Sequence, residues 1–232
     1  MIERVEVVIP ARDEEASIGA ALRAVAVAAG ALALPVRVHV VLDRCLDDTL
    51  GAIWRTDVPV AVEVVMGTSS SVGAARALGV DVATAGHPPT STWVASTDAD
   101  SIVPPEWLVT HVALADAGVD AVVGTVDVVD WSPRPASVEG LFRRQYALAR
   151  DPAPVHGANL GIRLAAYRAA GGFAPLPCGE DEALVSALRR AGRVVACTTA
   201  APVTTSARVD GRALGGFADT LTTWSHDAER TA

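Results

Sequence analysis

Short apolar runs alternate along the first hundred positions with stretches whose apolar residues recur every three or four. Val5–Ile9, Val36–Leu42, Val58–Val65 and Trp93–Ser96 have the length and β-branched content of buried strands. Between the first two, Ile18, Ala21, Leu22, Val25 and Ala29 share one face of a helix that Ser17 or Asp13 caps and Gly30 ends. A short helix is expected through Ile53 and Trp54. A further helix opens at Ser71 and carries Val72, Ala75, Gly79 and Val82 on one face. Pro59 marks the third strand as an edge or an entry point. This alternation with short connections predicts an α/β fold, a single mainly parallel or mixed sheet flanked by helices.

The second half changes character. A helix from Pro105 to Ala117 precedes a strand, Ala121–Val126, and a loop, Trp131–Pro135. Val138, Leu141, Phe142, Gln145, Tyr146 and Leu148 define an amphipathic helix, broken by Asp151-Pro152-Ala153-Pro154. Gly179-Glu180-Asp181-Glu182 opens a helix with Leu184, Ala187, Leu188 and Ala191 inward, and Val194–Ala196 is a short final strand. A domain over residues 1–197, divided near 101/102, and a C-terminal appendage over 198–232 are the expected units.

Polar loops end three successive strands: Ala11–Glu15, Asp43–Thr49 and Thr97–Ser101. In an open α/β sheet such loops gather at one edge and share a crevice. Asp98 and Asp100 are two apart on an extended segment, so both carboxylates reach one hard divalent cation. The same pair serves equally as a turn before the helix that Pro104-Pro105-Glu106 opens. Composition narrows the classes. A net charge of −8 in 232 residues lacks the basic face of a general nucleic-acid binder. Three widely spaced cysteines, Cys45, Cys178 and Cys197, form no metal or disulfide framework and fit a reducing, cytoplasmic setting. The longest apolar stretch, Ala24–Val36, is too short to span a bilayer, and docking at the inner membrane face stays open.

The ordered set Val8-Ile9-Pro10-Ala11-Arg12-Asp13-Glu14, Gly73-Ala74-Ala75-Arg76, Thr97-Asp98-Ala99-Asp100, Gly157-Ala158-Asn159-Leu160-Gly161-Ile162-Arg163, Gly171-Gly172-Phe173 and Gly179-Glu180-Asp181 resembles the family 2 glycosyltransferases, with their A-type nucleotide-sugar-binding fold. The resemblance implies a metal-dependent transfer of a sugar from a UDP- or GDP-sugar to an acceptor hydroxyl, with inversion preferred over retention. It implies a nucleotide-binding half over 1–101, an acceptor and sugar half over 102–197, and a C-terminal flap and helix. Pro10, Ala11, Arg12, Glu14, Asp43, Arg76 and Asp98 would bind the nucleotide. Asp98 and Asp100 would hold Mn²⁺ or Mg²⁺, with His156 as a further ligand. Glu180 would bind the sugar and Asp181 would act as the base. Asn159 and Arg163 would face an acceptor or phosphate. The acceptor, a small molecule, lipid or glycan, is not specified, and a homodimer is left open.

The second-strand loop departs from the family pattern. Leu42-Asp43-Arg44-Cys45 stands where many relatives carry Asp-Asp-Gly-Ser, and Arg44 is expected to pair on the surface with Asp47 or Asp48. Near the C-terminus, Arg208 and Arg212 lie in a Gly-rich stretch that reads either as an anion-gripping flap or as a surface loop leading into a helix over Phe217–Trp224. A dehydrogenase or P-loop enzyme would show Gly-rich signatures that are absent from the sequence. The rivals that stand are a sugar nucleotidyltransferase of related fold and a scaffold domain without turnover.

Overall fold

The first strand, β1 (Arg4–Ala11), sets the layering. Val5, Val7 and Ile9 turn to one face and Val8 to the other, and all four are fully buried. A strand apolar on both faces needs cover on both, which is the environment of a central parallel strand. It lies between β2 (Val36–Asp43) and a later strand, parallel to both. The structure, a computed structural model, describes residues 1–69, 71–148, 154–211 and 215–230. The remaining strands are β3 (Ala61–Gly67), β4 (Thr92–Ser96), β5 (Ala121–Asp127), β6 (Leu160–Arg163) and β7 (Val195–Thr204). The helices are α1 (Ile18–Gly30), α2 (Thr49–Arg55), α3 (Val72–Ala83), α4 (Trp107–Asp116), α5 (Ala136–Leu148), α6 (Leu164–Ala169), α7 (Glu180–Arg190) and α8 (Phe217–Arg230).

The sheet has the order β3-β2-β1-β4-β6-β5-β7. Six strands run one way; β6 is antiparallel to both β4 and β5. One face packs Val5, Val7, Ile9 and Trp93 against α1, α2 and α4. The other packs Val8, Val41 and Val94 against α3, α6 and α7. The chain crosses one face through α1 on leaving β1 and the other through α3 on reaching β4. A crevice therefore opens beyond the C-terminal ends of these two strands. A third, smaller core lies between α5 and α8, where Phe142, Trp131, Tyr146, Phe217 and Trp224 surround Val138 and Leu221.

Three expectations are corrected. The third strand starts at Ala61, after Pro59, rather than at Val58, and its edge position is one of the two that Pro59 marked. Leu160–Arg163 forms β6, a strand absent from the sequence reading. The final strand has ten residues, so residues 198–204, expected at the root of an appendage, lie in the sheet. Pro202 is tolerated there because β7 is an edge with no outer partner awaiting its N–H. Among the described residues, no helix is long and apolar enough to cross a membrane.

Candidate functional site

The C-terminal ends of β1, β2 and β4 deliver their loops to one edge, and the reversed β6 delivers to that edge the residues that precede it. At the centre is Arg76, carried on α3 and almost wholly buried. Its guanidinium donates to Asp98 Oδ1, to Glu180 Oε1 and, at 3.1 Å, to Ser96 Oγ. Burial acts to lower the arginine's pKa, but Asp98, Glu180 and Asp181 outweigh it and hold the group above its ordinary value. Burial pushes the Glu180 carboxyl upward against the pull of Arg76, and Asp181 and Asp98 add to the rise. Two glycines make this contact feasible. A Cβ on Gly73 would meet Ala174 O at 2.2 Å, so α3 packs against the α7 entry only without one. A Cβ on Gly157 would meet the Arg76 guanidinium carbon at 2.4 Å.

Arg208, in the loop after β7, makes a second cationic contact. Its Nη1 donates to Glu14 Oε1 at 2.7 Å, and its Nη2 lies 3.3 Å from Asp100 Oδ2. The other Glu14 oxygen accepts from Ser17 Oγ at 2.7 Å, and the Glu14 N–H donates to Thr49 Oγ1 at 2.9 Å. Burial raises the Asp100 carboxyl to about 6; Arg208 opposes the rise, while Asp98 and Glu14 reinforce it. A cavity of about 340 Å³ adjoins this contact, lined by Asp13, Glu14, Ser17, Asp100, Ser206 and Arg208 among others.

The turn before β6 supplies the third group. Asp181 Oδ2 accepts the Gly157 N–H at 2.6 Å, and its Oδ1 accepts the Glu182 N–H at 2.8 Å. His156 shares a hydrogen bond between Nε2 and the Tyr146 hydroxyl, and the two rings stack at 5.7 Å. Burial lowers the imidazole's pKa, with Asp181 and Asp98 close enough to oppose it.

Two of the expected ligands have other partners in the structure. Asn159 is fully buried and committed to the core: its Nδ2 donates to Thr125 O and Ala201 O, both at 2.9 Å, and its Oδ1 accepts from Trp107 Nε1 at 2.9 Å and from His111 Nε2 at 3.3 Å. No polar atom is left to face an acceptor. Arg163 sits opposite Trp93 at the far edge of the sheet, donating to Thr90 O and Ala115 O, because β6 runs backwards. Arg212 lies outside the described residues. Asp43 is buried at the end of β2 and accepts the Ser69 N–H at 2.6 Å. Arg44 donates to Thr68 O at 3.2 Å, and Asp48 pairs with Arg55. Pro10 and Ala11 end β1 and Arg12 is exposed beyond them. Asp13, Cys45 and Asp47 form a loop cluster in which Asp13 Oδ1 accepts the Leu46 N–H at 2.6 Å and Cys45 donates to Ala11 O.

Sequence reasoning missed Ser96, Tyr146 and the part played by Phe173, whose ring centre is 6.0 Å from the Arg76 guanidinium carbon. Only the glycine pair before Phe173 signalled it. Asp98, Asp100, Glu14, Glu180 and Asp181 are five carboxylates beside two guanidinium groups, Arg76 and Arg208. Hard oxygen donors of this kind suit a divalent cation. Among the described residues the only group of three His, Cys, Asp or Glu side chains whose ligand atoms lie within 4.8 Å of one another is Asp13, Cys45 and Asp47, so Asp98 and Asp100 offer a pair of donors and not an assembled cluster.

Residues 3–225 match the family model described as Glycosyltransferase like family 2. No curated protein sequence matches the chain. Among solved structures, residues 1–349 of S. aureus TarS in complex with UDP-GlcNAc superpose with a TM-score of 0.64 at 19% identity, covering 92% of this chain and 61% of that one. The chain thus spans about three-fifths of that fragment. The Pyrobaculum calidifontis mannosyltransferase PcManGT, in complex with GDP-Man and Mn²⁺, gives 0.65 at 19% identity over 97% of this chain and 70% of that one. Mycobacterium tuberculosis glucosyl-3-phosphoglycerate synthase gives 0.58 at 19% identity, over 97% and 76%. These likenesses establish the A-type fold; the family model matches nearly the whole length, and the chain belongs to the glycosyltransferase-like family 2.

Proposed function

We propose that the protein transfers a sugar from a UDP- or GDP-sugar to an acceptor hydroxyl, with inversion at the anomeric carbon. The observation that carries this reading is the surplus of carboxylates at the mouth of β1 and β4, five against two guanidinium groups. TarS is described with UDP-GlcNAc and PcManGT with GDP-Man and Mn²⁺, which supports a nucleotide-sugar donor and a divalent ion here.

Asp98 and Asp100 would hold Mn²⁺ or Mg²⁺, with His156 beside them. When bound, the ion offsets the charge that develops on the departing diphosphate. The end of β1 and the loop after it, from Pro10 to Glu14, and Asp43 border the nucleoside, in the half formed by residues 1–101. Arg76 holds Glu180 and Asp98 in place, and Arg208 faces the diphosphate. Glu180 orients the sugar. Asp181, fixed by the Gly157 and Glu182 N–H groups, takes the acceptor hydroxyl's proton as the new C1–O bond forms. The old C1–O bond breaks and its electron pair leaves with the nucleoside diphosphate. Residues 102–197 form the acceptor side. The three cysteines are free thiols, in keeping with a reducing, cytoplasmic setting.

The test is a thermal-shift screen of UDP, GDP and their sugars with and without Mn²⁺. A ligand at a hundred times its Kd stabilises by about 2.7 kcal/mol, a rise of roughly 5–10 °C for a chain of this size. Asp98→Asn should abolish the metal-dependent part. If no nucleotide raises Tm and none is released from any sugar donor with Mn²⁺, a scaffold without turnover is the better reading.

A further inference from the structure

The contact between Arg208, Glu14 and Asp100 has an unequal fork. The Glu14 arm is 2.7 Å and the Asp100 arm 3.3 Å. The short arm joins a glutamate that Ser17 and Thr49 hold from two other directions. The long arm joins Asp100, whose side chain is only 13% exposed. A monovalent guanidinium at that distance relieves Asp100 only in part. The backbone behind Arg208 is fixed by an unusual device. Arg134 is buried, and its guanidinium donates to Ala207 O at 2.9 Å, to Arg208 O, to Ala218 O at 3.0 Å and to Thr222 Oγ1 at 2.8 Å. All four acceptors belong to the segment that carries Arg208 or to the first turns of α8. A buried cation bonded to three carbonyls and a hydroxyl, with Asp210 and Asp219 acting on it only through space, specifies a backbone position more than it adds charge.

We propose that Arg208 is a resident cation of the carboxylate site, exchanged on Asp100 for the divalent ion while it stays hinged on Glu14, and that Arg134 is the positioning residue that sets this hinge. The inference rests on the reading of Asp98 and Asp100 as the metal-holding pair. The exchange keeps charge at Asp100 compensated in both states. It frees the Nη2 arm of Arg208 for an anion only once the ion has arrived, so ion and diphosphate are admitted in that order.

The prediction has opposite signs for the two ligands. Mn²⁺ binding is measured alone, by the EPR signal of free Mn²⁺, and UDP and GDP binding by calorimetry at saturating Mn²⁺. Removing the competing cation in Arg208→Gln tightens Mn²⁺ by about fivefold, the scale of one partly exposed ion pair. The same change weakens the nucleotides by about tenfold, because a charge-assisted contact to phosphate is lost. Arg134→Gln reproduces both shifts, and the double variant adds nothing further to Mn²⁺ affinity, since the two residues act through one contact. Arg134→Lys serves if the Gln variant does not fold. Mn²⁺ affinity in Arg208→Gln equal to or below that of wild type overturns the exchange. An Arg134 variant that melts earlier but binds Mn²⁺ as wild type overturns the positioning role. If wild type binds neither nucleotide, the catalytic reading fails, and the Mn²⁺ comparison still decides the exchange by itself.

Discussion

Acid should destabilise this protein through one histidine remote from the site's carboxylates, and the size of the effect follows from its surroundings. His111 lies on α4, fully buried between Trp93 and Trp107, with ring centroids 6.2 and 5.3 Å away. Asn159 uses its amide nitrogen on two carbonyls, so its oxygen is the acceptor and His111 Nε2 carries the hydrogen. Nδ1 is buried without a partner. A second proton would create an N–H with no acceptor, and burial lowers the pKa from 6.5 to about 4, against the opposing bond to Asn159. The unfolded chain takes up that proton near the ordinary histidine value. Between about pH 6.5 and 4 the unfolded state therefore binds one proton more than the folded state. Stability is complete above this window and falls by about 1.4 kcal/mol per pH unit within it, roughly 3 kcal/mol in all. The assay is urea unfolding from pH 7.5 to 4 of wild type and His111→Gln, which keeps a donor for Asn159 but cannot titrate. Carboxylates contribute equally to both proteins and cancel in the difference. The variant starts less stable at pH 7.5, since it loses ring packing, and the gap closes on acidification. Parallel curves for the two proteins across that window would refute the reasoning.

Gly157→Ala places a methyl group against the Arg76 guanidinium; a cooperative melt with nucleotide affinity down at least about tenfold is expected, by calorimetry with Mn²⁺. Asn159→Ala strands two carbonyls and two ring N–H groups in the core; it should cost about 3–4 kcal/mol in urea unfolding, whereas a ligand role would lower acceptor affinity and leave stability intact. Asp181→Asn should lower kcat about a thousandfold with donor affinity and Tm close to wild type; retention of most of the turnover would remove the residue as the base.

The parallel half of the sheet was readable because its central strands, β1 and β4, are apolar on both faces and the helices α1 and α3 repeat their apolar positions. β6 was not, because it has four residues and one is Gly161. That glycine admits Trp93 and His111, and a Cβ there would meet His111 Nδ1 at 2.5 Å. The core neighbours that favour glycine lie far away in sequence. The missing strand explains both displaced ligands. Asn159 and Arg163 sit in one motif, four residues apart, and a motif does not tell which end of a strand meets the crevice or which side chain turns inward. Asp98, Glu180 and Arg76 meet in the structure: Asp98 follows the end of β4, Glu180 opens α7 and Arg76 lies in the second turn of α3. Arg134 left no local trace, since its acceptors are backbone carbonyls, which every sequence possesses.

The order β4-β6-β5 also governs how the molecule assembles as it is synthesised. Strands β1 to β4 find one another through helical crossovers of short reach, so that half of the sheet can zip up as soon as residue 96 is available. β5 has no neighbour in the sheet except β6 and β7, both made later. It must wait, its apolar edge unpaired, until the chain doubles back and wedges β6 beside β4. The segment that ends this wait begins with His156 and Gly157. β6 follows Gly157 in the chain and precedes α7, so the two halves of the sheet can join before Asp181 reaches the Gly157 N–H, and a chain that stalls before β6 leaves the apolar edge of β5 unpaired.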